Sequence, residues 1–423
     1  MIPVREATPV PVAEPFRALH YAIAPQLGEV LAPPYDVISP EQRDDLYARS
    51  PYNVVRMVLG REHDPYAEAA RFLREWTATD ILRTDDLPAY YILQQEFEAL
   101  GRTFVRTGVI GRCSVEPPSV QSGILPHEKT LAKPKEDRFK LLQSIATQDS
   151  QIFGIIQDPK HEFAGQLLAV TQEKPLVEVT FDNVIQRVWV ITEEDFEQFV
   201  ARHAEASNVL IADGHHRFET AIRYRDWRRA EAALPTPHDV DYTMMYLTSE
   251  HDPGLVVLPT HRLVFGLAEF SPEKFIRELS GKFHVVLMER HDGQVPETSL
   301  FVVVLPSGSY AVFPKQPPLS GIRPTDGETV LKNLPLTILH SVVFEEILGI
   351  DKEAQLQKRN LEYTEDAADV QPRVSSGVAQ IGFLIRPVDV WEIFAISNAG
   401  LVMPQKSTYF YPKLPSGLVM YQM

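Results

Sequence analysis

Asn208-Val-Leu-Ile-Ala-Asp-Gly-His-His-Arg-Phe-Glu-Thr220 is the stretch that decides the fold of the central part of this chain. Its four apolar residues, 209–212, predict a short buried strand. Asp213 and Gly214 break that strand, and helical spacing follows them. The residues that then lie on or near one helical stripe are Phe218, Ala221, Ile222 and Trp227. The stretch therefore predicts a strand, a tight turn and a helix, with charged and imidazole side chains at the junction.

The start of the predicted helix has the features of an anion-binding site. The first N–H groups of a helix lack intrahelical acceptors, and the helix dipole favours negative charge there. Gly214 lets a ligand approach the backbone closely, and His215 contributes the next N–H. Arg217, one turn into the helix, can form two parallel hydrogen bonds with a phosphate or a carboxylate. The functional interpretation is an anion bound at residues 214–217.

A purely structural interpretation stays open for the same residues. Asp213 can be the N-cap, accepting from the N–H of His215 or His216, with Arg217 paired to its carboxylate. A metal site built on both histidines is disfavoured, because adjacent residues project about 100° apart on a helix. One of them, such as His216, can still act as a general acid or base.

Composition and charge exclude several classes of protein. At 423 residues the chain is long for one core, and its formal net charge is −16. Nucleic-acid backbones are held by basic surfaces, so no nucleic-acid partner is expected. Cys113 is the only cysteine, which excludes an internal disulfide. No run of about eighteen apolar residues occurs and no signal-peptide run is visible, so we expect a cytoplasmic protein without a membrane partner. A homo-oligomer stays open.

Two further clusters of polar residues carry candidate site residues. The first is Pro126-His-Glu-Lys-Thr-Leu-Ala-Lys-Pro-Lys-Glu-Asp-Arg-Phe139, a charged loop that leads into a predicted helix. The second is Met403-Pro-Gln-Lys-Ser-Thr-Tyr-Phe-Tyr-Pro-Lys-Leu-Pro-Ser-Gly417, with a cation and two hydroxyls at 406–408. Function is often carried on loops that a rigid scaffold positions. Together with the stretch at 208–220, these clusters suggest one shared anionic ligand, although charged surface loops are also common.

The remaining pattern predicts an α+β fold of mixed sheets around a central strand–turn–helix subdomain. A hairpin is predicted from Tyr90 to Cys113, a strand over 53–59 and a helix over 336–348. The expected segments are an N-terminal α/β segment at 1–115, a central segment at 116–240, a β-rich segment at 241–330 and a C-terminal α/β segment at 331–423. They can pack as one or two compact units.

Several motifs, in order along nearly the whole chain, resemble the bacterial and archaeal family called domain of unknown function 1015. The stretches that carry the resemblance are Pro15-Phe-Arg-Ala-Leu, Ala32-Pro-Pro-Tyr-Asp-Val-Ile-Ser, Ser50-Pro-Tyr-Asn-Val-Val-Arg56, His127-Glu-Lys-Thr, Pro134-Lys-Glu-Asp-Arg, Ala212-Asp-Gly-His-His-Arg-Phe-Glu-Thr-Ala221 and Met403-Pro-Gln-Lys-Ser-Thr-Tyr-Phe-Tyr-Pro-Lys. The family name leaves the activity open.

A second, shorter resemblance bears on chemistry. Asp213-Gly-His-His-Arg217 is similar to the box of the ParB/sulfiredoxin superfamily, which includes nucleotide-dependent free-serine kinases. In that superfamily the box begins a helix and holds nucleotide phosphates. The present chain is much longer than the superfamily's core domain, and sulfiredoxin's catalytic cysteine has no counterpart, since Cys113 lies well upstream. The resemblance therefore implies nucleotide binding or kinase chemistry rather than sulfiredoxin chemistry.

These observations favour a nucleotide-dependent phosphotransferase that acts on a small hydroxyl-bearing metabolite, with ATP or ADP and Mg²⁺ as cofactors. The expected phosphate or substrate contacts are Gly214, His215, Arg217, Lys133, Arg138, Lys406 and Ser407. The expected catalytic residues are His127, Glu128, Asp213 and His216, with Glu128 or His127 as general base and Asp213 or Glu128 holding Mg²⁺. No Walker loop and no protein-kinase signature occurs.

Two other functions stay open at this point. The same pocket could bind a nucleotide or metabolite as a regulator without turnover. A metal-dependent hydrolase built on His127, Glu128, His215 and His216 fits the residue types, but no His-Glu-x-x-His or comparable spacing supports it.

Overall fold

The structure is a computed structural model, and it describes residues 13–22, 26–128, 132–289, 293–315, 324 and 326–423, with only the backbone at 132–134. Helices and multi-stranded sheets are mixed along the chain, so the predicted α+β class is confirmed. Among the described residues, no helix combines the length and the apolar character needed to cross a bilayer.

The strands are short in most places and long only in the central hairpin. In chain order they are β1 (Leu19–Tyr21), β2 (Leu82–Thr84), β3 (Tyr90–Ala99), β4 (Arg102–Ser114), β5 (Ile124–Leu125), β6 (Thr147–Gln148), β7 (Ile152–Ile156), β8 (Val177–Phe181), β9 (Val184–Ile191), β10 (Val209–Asp213), β11 (Tyr242–Ser249), β12 (Val256–Leu258), β13 (His261–Val264), β14 (Phe283–Leu287), β15 (Phe301–Leu305), β16 (Gly308–Pro314), β17 (Leu361–Thr364), β18 (Ile381–Ile385), β19 (Tyr409–Tyr411) and β20 (Tyr421–Gln422).

The α-helices alternate with these strands. In chain order they are α1 (Leu27–Val30), α2 (Pro40–Arg49), α3 (Val55–Val58), α4 (Pro65–Ala78), α5 (Ala132–Ile145), α6 (Glu162–Val170), α7 (Glu194–Glu205), α8 (His215–Glu231), α9 (Pro272–Lys282), α10 (Gly327–Asn333), α11 (Pro335–Ile338), α12 (Lys352–Leu356), α13 (Ala367–Ser375) and α14 (Val390–Asn398). A π-helix spans Leu339–Ile347, directly after α11.

The chain divides into two compact units. The first unit comprises residues 1–126, 130–256 and 412–423, and the second comprises 127–129 and 257–411, in each case as far as they are described. The division into four segments that the sequence suggests stays a prediction.

The first unit is built on an eight-stranded mixed sheet. Its strand order is β5-β10-β7-β11-β4-β3-β9-β8, in which β5–β10 and β7–β11 are parallel and the other neighbours are antiparallel. Residues 100 and 101 connect β3 to β4 with φ of 51° and 74°. Two central residues with positive φ match the right-handed twist of a hairpin. The predicted hairpin is confirmed.

One core cluster of the first unit joins β10 and α8 to the sheet. Val209, Ile211 and Phe218 are buried in it together with Ile152, Met245 and side chains from α6 and α7. The apolar run therefore forms a buried strand and the residues after Gly214 form a helix. The predicted strand–turn–helix is confirmed as a local structure.

The second unit is built on a six-stranded sheet, with every described neighbour antiparallel. Its order is β14-β16-β15-β18-β13-β17. Phe301 and Phe383 from the sheet pack against Phe275 of α9 and Phe344 of the π-helix, with ring centroids 5.4–6.4 Å apart among neighbours. These aromatic contacts anchor the π-helix, and with it His340, against the sheet.

The strand predicted over 53–59 is wrong, because residues Val55–Val58 form α3. The Asn53 side chain donates to the carbonyls of Glu29 and Leu31, and its own carbonyl accepts from the N–H of Val55. These hydrogen bonds fix the chain just before a helical turn that the apolar run alone does not distinguish from a strand.

Candidate functional site

The junction between β10 and α8 is irregular in two ways. The register of β10 against β7 shifts between Ile211 and Asp213, which is a β-bulge, and such bulges re-aim the side chains that follow. Gly214 then adopts φ 92°, a left-handed conformation that an L side chain rarely takes. Gly214 is the N-cap of α8 and no side chain caps this helix, so the interpretation of Asp213 as the N-cap is wrong.

Asp213 is held between two cations. Its Oδ1 accepts from Nζ of Lys413 at 2.5 Å, and its Oδ2 accepts from Nη2 of Arg217 at 2.6 Å. Burial opposes the charge on this carboxyl, but Lys413, Arg217 and His215 outweigh it and hold the pKa of Asp213 well below its usual range. The pairing of Arg217 with Asp213 is therefore confirmed, and Asp213 is a fixed anion.

Arg217 is oriented by the backbone as well as by Asp213. Its Nη1 donates to the carbonyl oxygen of Gln151 at 2.6 Å, just before β7. A methyl group at Gly214 would lie 3.1 Å from Nε and Nη2 of Arg217. Gly214 is therefore needed for two reasons. It permits the left-handed turn, and its missing side chain leaves room for the guanidinium of Arg217.

A second guanidinium approaches from α5, which packs against α8. Lys135 pairs with Glu219, Arg223 pairs with Glu136 at 2.7 Å, and the Arg223 guanidinium lies 3.8 Å over the Phe139 ring. These contacts fix the face of α5 that follows residue 135. Arg138 follows on the same helix and lies near the first turns of α8.

Arg138 is buried, with 8% of the residue exposed, and one of its three side-chain nitrogens has no hydrogen-bond partner among the described residues. Its Nε and Nη2 donate to Oδ2 of Asp137 at 2.9 and 2.5 Å, whereas Nη1 is buried without a hydrogen-bond partner among the described residues. The guanidinium lies 4.2 Å over the ring of Tyr35. Burial raises the pKa of the Tyr35 phenol to about 12, so the phenol stays a hydrogen-bond donor.

Arg138, Arg217 and Tyr35 line one cavity, here called the arginine cavity. Its volume is about 50 Å³, whereas about 10–15 Å³ suffices for one water molecule. Leu142, Ser150 and Thr220 also line it. A space of this size between two guanidiniums and a phenol suits a compact anion such as a phosphate group, which accepts several charge-assisted hydrogen bonds.

Parts of the other two polar clusters, residues 127–128 and 403–408, meet within the second unit. Oε1 of Glu128 accepts from the N–H of Ser407 at 3.0 Å, and Nε2 of His127 lies 2.8 Å from the Thr408 hydroxyl. The carbonyl of His127 also accepts from the N–H of Met403 at 2.9 Å. His127 is 1% exposed, so in this unit it is a buried, hydrogen-bonded side chain.

The remaining candidates divide between the units. Lys406 is exposed in the second unit, with φ 56°, and its carbonyl accepts from Nη2 of Arg262 at 2.7 Å. His215 and His216 begin α8 in the first unit. Lys133 lies in the first turn of α5, and its side chain is outside the described residues. The catalytic and binding roles of the candidates stay predictions.

The described residues do not fit the Mg²⁺ site expected at Asp213 and Glu128. Both oxygens of Asp213 accept from cations, and one oxygen of Glu128 accepts from a backbone N–H. Within the described part of the chain, no group of three or more His, Cys, Asp or Glu side chains is placed to hold a metal ion.

Sequence reasoning missed two residues of the first unit. Lys413 stands 200 residues from Asp213 in sequence, and Tyr35 stands about a hundred residues before Arg138. The available signal was their position inside polar stretches already quoted, Tyr-Pro-Lys at 411–413 and Pro-Pro-Tyr-Asp at 33–36. Nothing local indicates which cation in such a stretch reaches the carboxylate.

Comparison with known proteins gives a family and distant structural neighbours. A family model described as "Protein of unknown function (DUF1015)" matches residues 13–337. No curated protein matches the chain.

Three solved structures illustrate the structural neighbours. A free serine kinase in complex with AMP is 12% identical, with 73% of this chain and 90% of that chain covered and a TM-score of 0.37. A conserved hypothetical protein from Pyrococcus furiosus is 14% identical (73% and 93% covered, TM-score 0.34). SbnI with a C-terminal truncation, from Staphylococcus aureus, is 10% identical (72% and 84%, TM-score 0.35). Because these TM-scores are below 0.5, no function is transferred from those proteins to this chain.

Proposed function

Given that the chain belongs to the DUF1015 family of proteins of unknown function, we propose that it binds a nucleotide through a phosphate group in the arginine cavity and transfers a phosphoryl group to a hydroxyl-bearing metabolite. The sequence resemblance of Asp213-Gly-His-His-Arg217 to the ParB/sulfiredoxin superfamily supports a nucleotide as the ligand. It also supports the assignment of β10, Gly214 and α8 to a ParB/sulfiredoxin-like subdomain.

One observation carries the phosphate site: Arg138 lines the arginine cavity, and its buried Nη1 has no hydrogen-bond partner among the described residues. Buried donors in folded proteins are almost always hydrogen-bonded, and a charged donor left unpaired is costly. An anion oxygen satisfies it. Arg217 and Tyr35 line the same cavity, so a phosphate there is surrounded by three residues that carry donors and come from different elements.

The geometry assigns different tasks to the charged residues. Asp213 holds Arg217 and Lys413 in place and is a positioning residue, because each of its oxygens already accepts from a cation. Arg138 and Arg217 contact the phosphate and neutralise charge that develops in transfer, which is the main protein contribution to phosphoryl transfer. The volume of about 50 Å³ accommodates one phosphate group, so the remainder of a nucleotide lies outside the cavity.

The test is binding of pyrophosphate, ADP and ATP, measured by isothermal titration calorimetry and by thermal shift. Ligands that bind the native state raise its melting temperature. We expect Arg138→Met to weaken binding of each ligand by more than about tenfold, since a hydrogen bond to a charged group contributes about 1.5–3 kcal/mol.

Arg223→Met is the matched control. Arg223 is an arginine on the same helix pair that stacks on Phe139, but it does not line the arginine cavity. It should leave affinity within about twofold of the unmodified protein. No binding of any of the three ligands, or equal losses in both variants, would contradict the phosphate site.

Turnover is tested separately. The protein is incubated with ATP or ADP and a panel of hydroxyl-bearing metabolites, and phosphorus NMR follows the appearance of a new phosphate ester. A new ester that Arg138→Met reduces supports phosphotransfer.

A second candidate is a nucleotide-binding regulator without turnover. The commitment of both Asp213 oxygens to Lys413 and Arg217 favours it, because Asp213, one of the expected catalytic residues, is then unavailable as a base. Nucleotide binding that depends on Arg138, with no ester formed from any acceptor, would decide for this candidate.

A further inference from the structure

The second unit contains a larger cavity that none of the predicted site residues explains, here called the histidine cavity. It is lined by the π-helix, α12, β17 and residues 402–405, and its volume is about 380 Å³. Pockets for small molecules usually measure about 300–1,000 Å³. Much of its wall is apolar, formed by Leu331, Leu356, Tyr363, Val402, Met403 and Pro404.

His340, the second residue of the π-helix, has one ring nitrogen without a hydrogen-bond partner among the described residues. Its Nδ1 lies 2.8 Å from Oε1 of Gln355. The amide nitrogen of Gln355 donates to the carbonyl of Ile350 at 2.9 Å, which fixes the amide orientation and makes Oε1 the acceptor. Nδ1 of His340 therefore carries the proton, and Nε2 carries a lone pair. Nε2 is buried and has no hydrogen-bond partner among the described residues.

The imidazole stays neutral at physiological pH. Burial, assisted by the nearby Arg262, lowers the pKa of His340 to about 3, against the opposing hydrogen bond with Gln355. His340 is 8% exposed, and it lines the histidine cavity. A neutral, desolvated imidazole nitrogen is a strong acceptor that only a donor can satisfy.

A second polar atom in the same wall is also unsatisfied. The hydroxyl of Thr337 in α11 is buried without a partner among the described residues, although Thr337 lines the cavity. Its backbone carbonyl is used by Ser341 at 2.8 Å. It is unusual for two residues that line one cavity each to have a buried polar atom without a partner, because such atoms normally bind protein, water or ligand.

The histidine cavity offers no net charge to a ligand. Glu345 and Lys352 are the charged residues among its described lining, and their signs are opposite. The π-helix itself is informative, since widened helical turns occur frequently at functional sites.

We propose that the histidine cavity binds a small uncharged molecule with an apolar body and a hydroxyl or N–H group that donates to Nε2 of His340. The apolar wall receives the body of the molecule, and the Thr337 hydroxyl offers a second hydrogen bond to the same polar group. This site belongs to the second unit alone and does not depend on phosphate binding in the first.

Phenol, anisole and benzoate form a matched set of probes, applied to the full chain. Phenol has a ring and a donor, anisole has a similar ring without a donor, and benzoate has a ring and a charge. We expect phenol to bind at least about fivefold more tightly than anisole, the order expected of one hydrogen bond. Benzoate should bind more weakly than phenol, because its carboxylate has no proton to donate to Nε2 of His340 and loses water against a largely apolar wall.

The acceptor is identified in the unmodified protein by nitrogen NMR of labelled histidine. The Nε2 resonance of His340 should move on addition of phenol and stay in place on addition of anisole. In His340→Leu the preference for phenol over anisole should fall to about one, whereas His284→Leu, at an exposed histidine of β14, should keep it.

Thr337→Val keeps the shape of the side chain and tests the second polar atom in a protein expected to fold. It should reduce phenol affinity by about two- to fivefold and leave anisole unchanged. Equal binding of phenol and anisole, no binding of phenol, or an Nε2 resonance indifferent to phenol would each overturn the proposal.

Discussion

The arginine cavity and the histidine cavity solve the burial of polar groups in opposite ways. In the first unit, Asp213, Arg217 and Lys413 keep their charges and neutralise one another at hydrogen-bond distance. In the second unit, His340 gives up its charge and keeps a lone pair toward an apolar space. The first arrangement suits an anion and depends on intact ion pairs, whereas the second suits an uncharged donor and depends on the burial of the imidazole.

The largest effect is expected from a substitution that removes the shared anion of the ion pairs in the first unit. Asp213→Asn removes the anion and leaves the mostly buried Arg217 and Lys413 cations without their shared partner, so we expect the first unit to lose about 3 kcal/mol of its free energy of unfolding. Urea unfolding followed by tryptophan fluorescence measures it, since Trp76, Trp189 and Trp227 lie in this unit.

The control for that variant is Asp226→Asn on the exposed face of α8, where Asp226 pairs with Arg225 and has 61% of its side chain exposed. It should change the free energy of unfolding by less than about 0.5 kcal/mol. An equal effect of both substitutions would show that the ion pairs at Asp213 do not stabilise the unit.

The next prediction is that the stabilities of the two units depend on pH in different ways. The folded pKa of His340, about 3, lies below the unfolded value of about 6.5, so the unfolded state binds the proton more readily in between. Stability of the second unit is therefore lost as pH falls below about 6.5, by up to about 2 kcal/mol at pH 5.

Asp252 in the first unit has the opposite sign. Burial raises the pKa of this carboxyl to about 6, above its unfolded value, so its contribution favours folding below about pH 4 and is lost as pH rises through 6. Asp213, whose pKa is lowered, loses its contribution only as pH falls below about 4. Acidification from pH 7 to 5 should thus weaken the second unit and not the first.

Hydrogen exchange, which resolves the two units, measures these opposite pH slopes. In His340→Leu the acid destabilisation of the second unit should fall by up to about 2 kcal/mol at pH 5, leaving the part due to His261, whose pKa burial lowers to about 4. In His284→Leu the acid destabilisation should be unchanged. A parallel pH response in both units of the unmodified protein would remove this distinction between the cavities.

A smaller effect tests the backbone under the ionic cluster. Gly214→Ala places a methyl group at φ 92° and 3.1 Å from the Arg217 guanidinium, so it should destabilise the first unit by about 1–2 kcal/mol. Gly165→Ala in α6 is the control of opposite sign. It meets nothing within 4 Å and should stabilise by about 0.5–1 kcal/mol, as alanine does within a helix. Thermal unfolding of both variants tests the contrast.

The smallest effect sharpens the comparison without mutation. Raising KCl from about 0.05 to about 0.5 M shortens the screening length, so pyrophosphate binding to the arginine cavity should weaken by several-fold. Phenol binding to the histidine cavity should stay within about twofold, because neither partner is charged. Calorimetric titrations at the two salt concentrations measure both, and a salt-sensitive phenol affinity would contradict the neutral site.

The predictable part of this fold is local in sequence. The hairpin of β3 and β4 follows from alternating residues around Leu100-Gly101, and the strand–turn–helix follows from an apolar run broken by Gly214. Residues 53–59 were mispredicted because a short apolar run fits both a strand and a buried helix. There the side chain of Asn53, through bonds to residues 24 and 22 positions away, selected the helix.

In the candidate site, too, the contacts between residues close in sequence are the predictable ones. The pairing of Arg217 with Asp213 spans four residues and was foreseen, whereas Lys413, which completes the cluster, is 200 residues away. A helix over 336–348 was predicted and the structure has α11 and the π-helix there. The wider turn and the cavity beside His340 arise from packing against α12 and residues 402–405, which no periodicity in the sequence encodes.

The Lys413–Asp213 pair also sets an order of events in the cell. The ribosome completes Asp213 well before Lys413, and at about 5–20 residues per second the 200 residues between them take roughly 10–40 s to translate. Throughout that interval the nascent first unit carries a carboxylate with one of its two cations missing and lacks the strand at 421–422. Chaperones and proteases that survey emerging chains therefore meet the first unit before its second cation and its last strand are present.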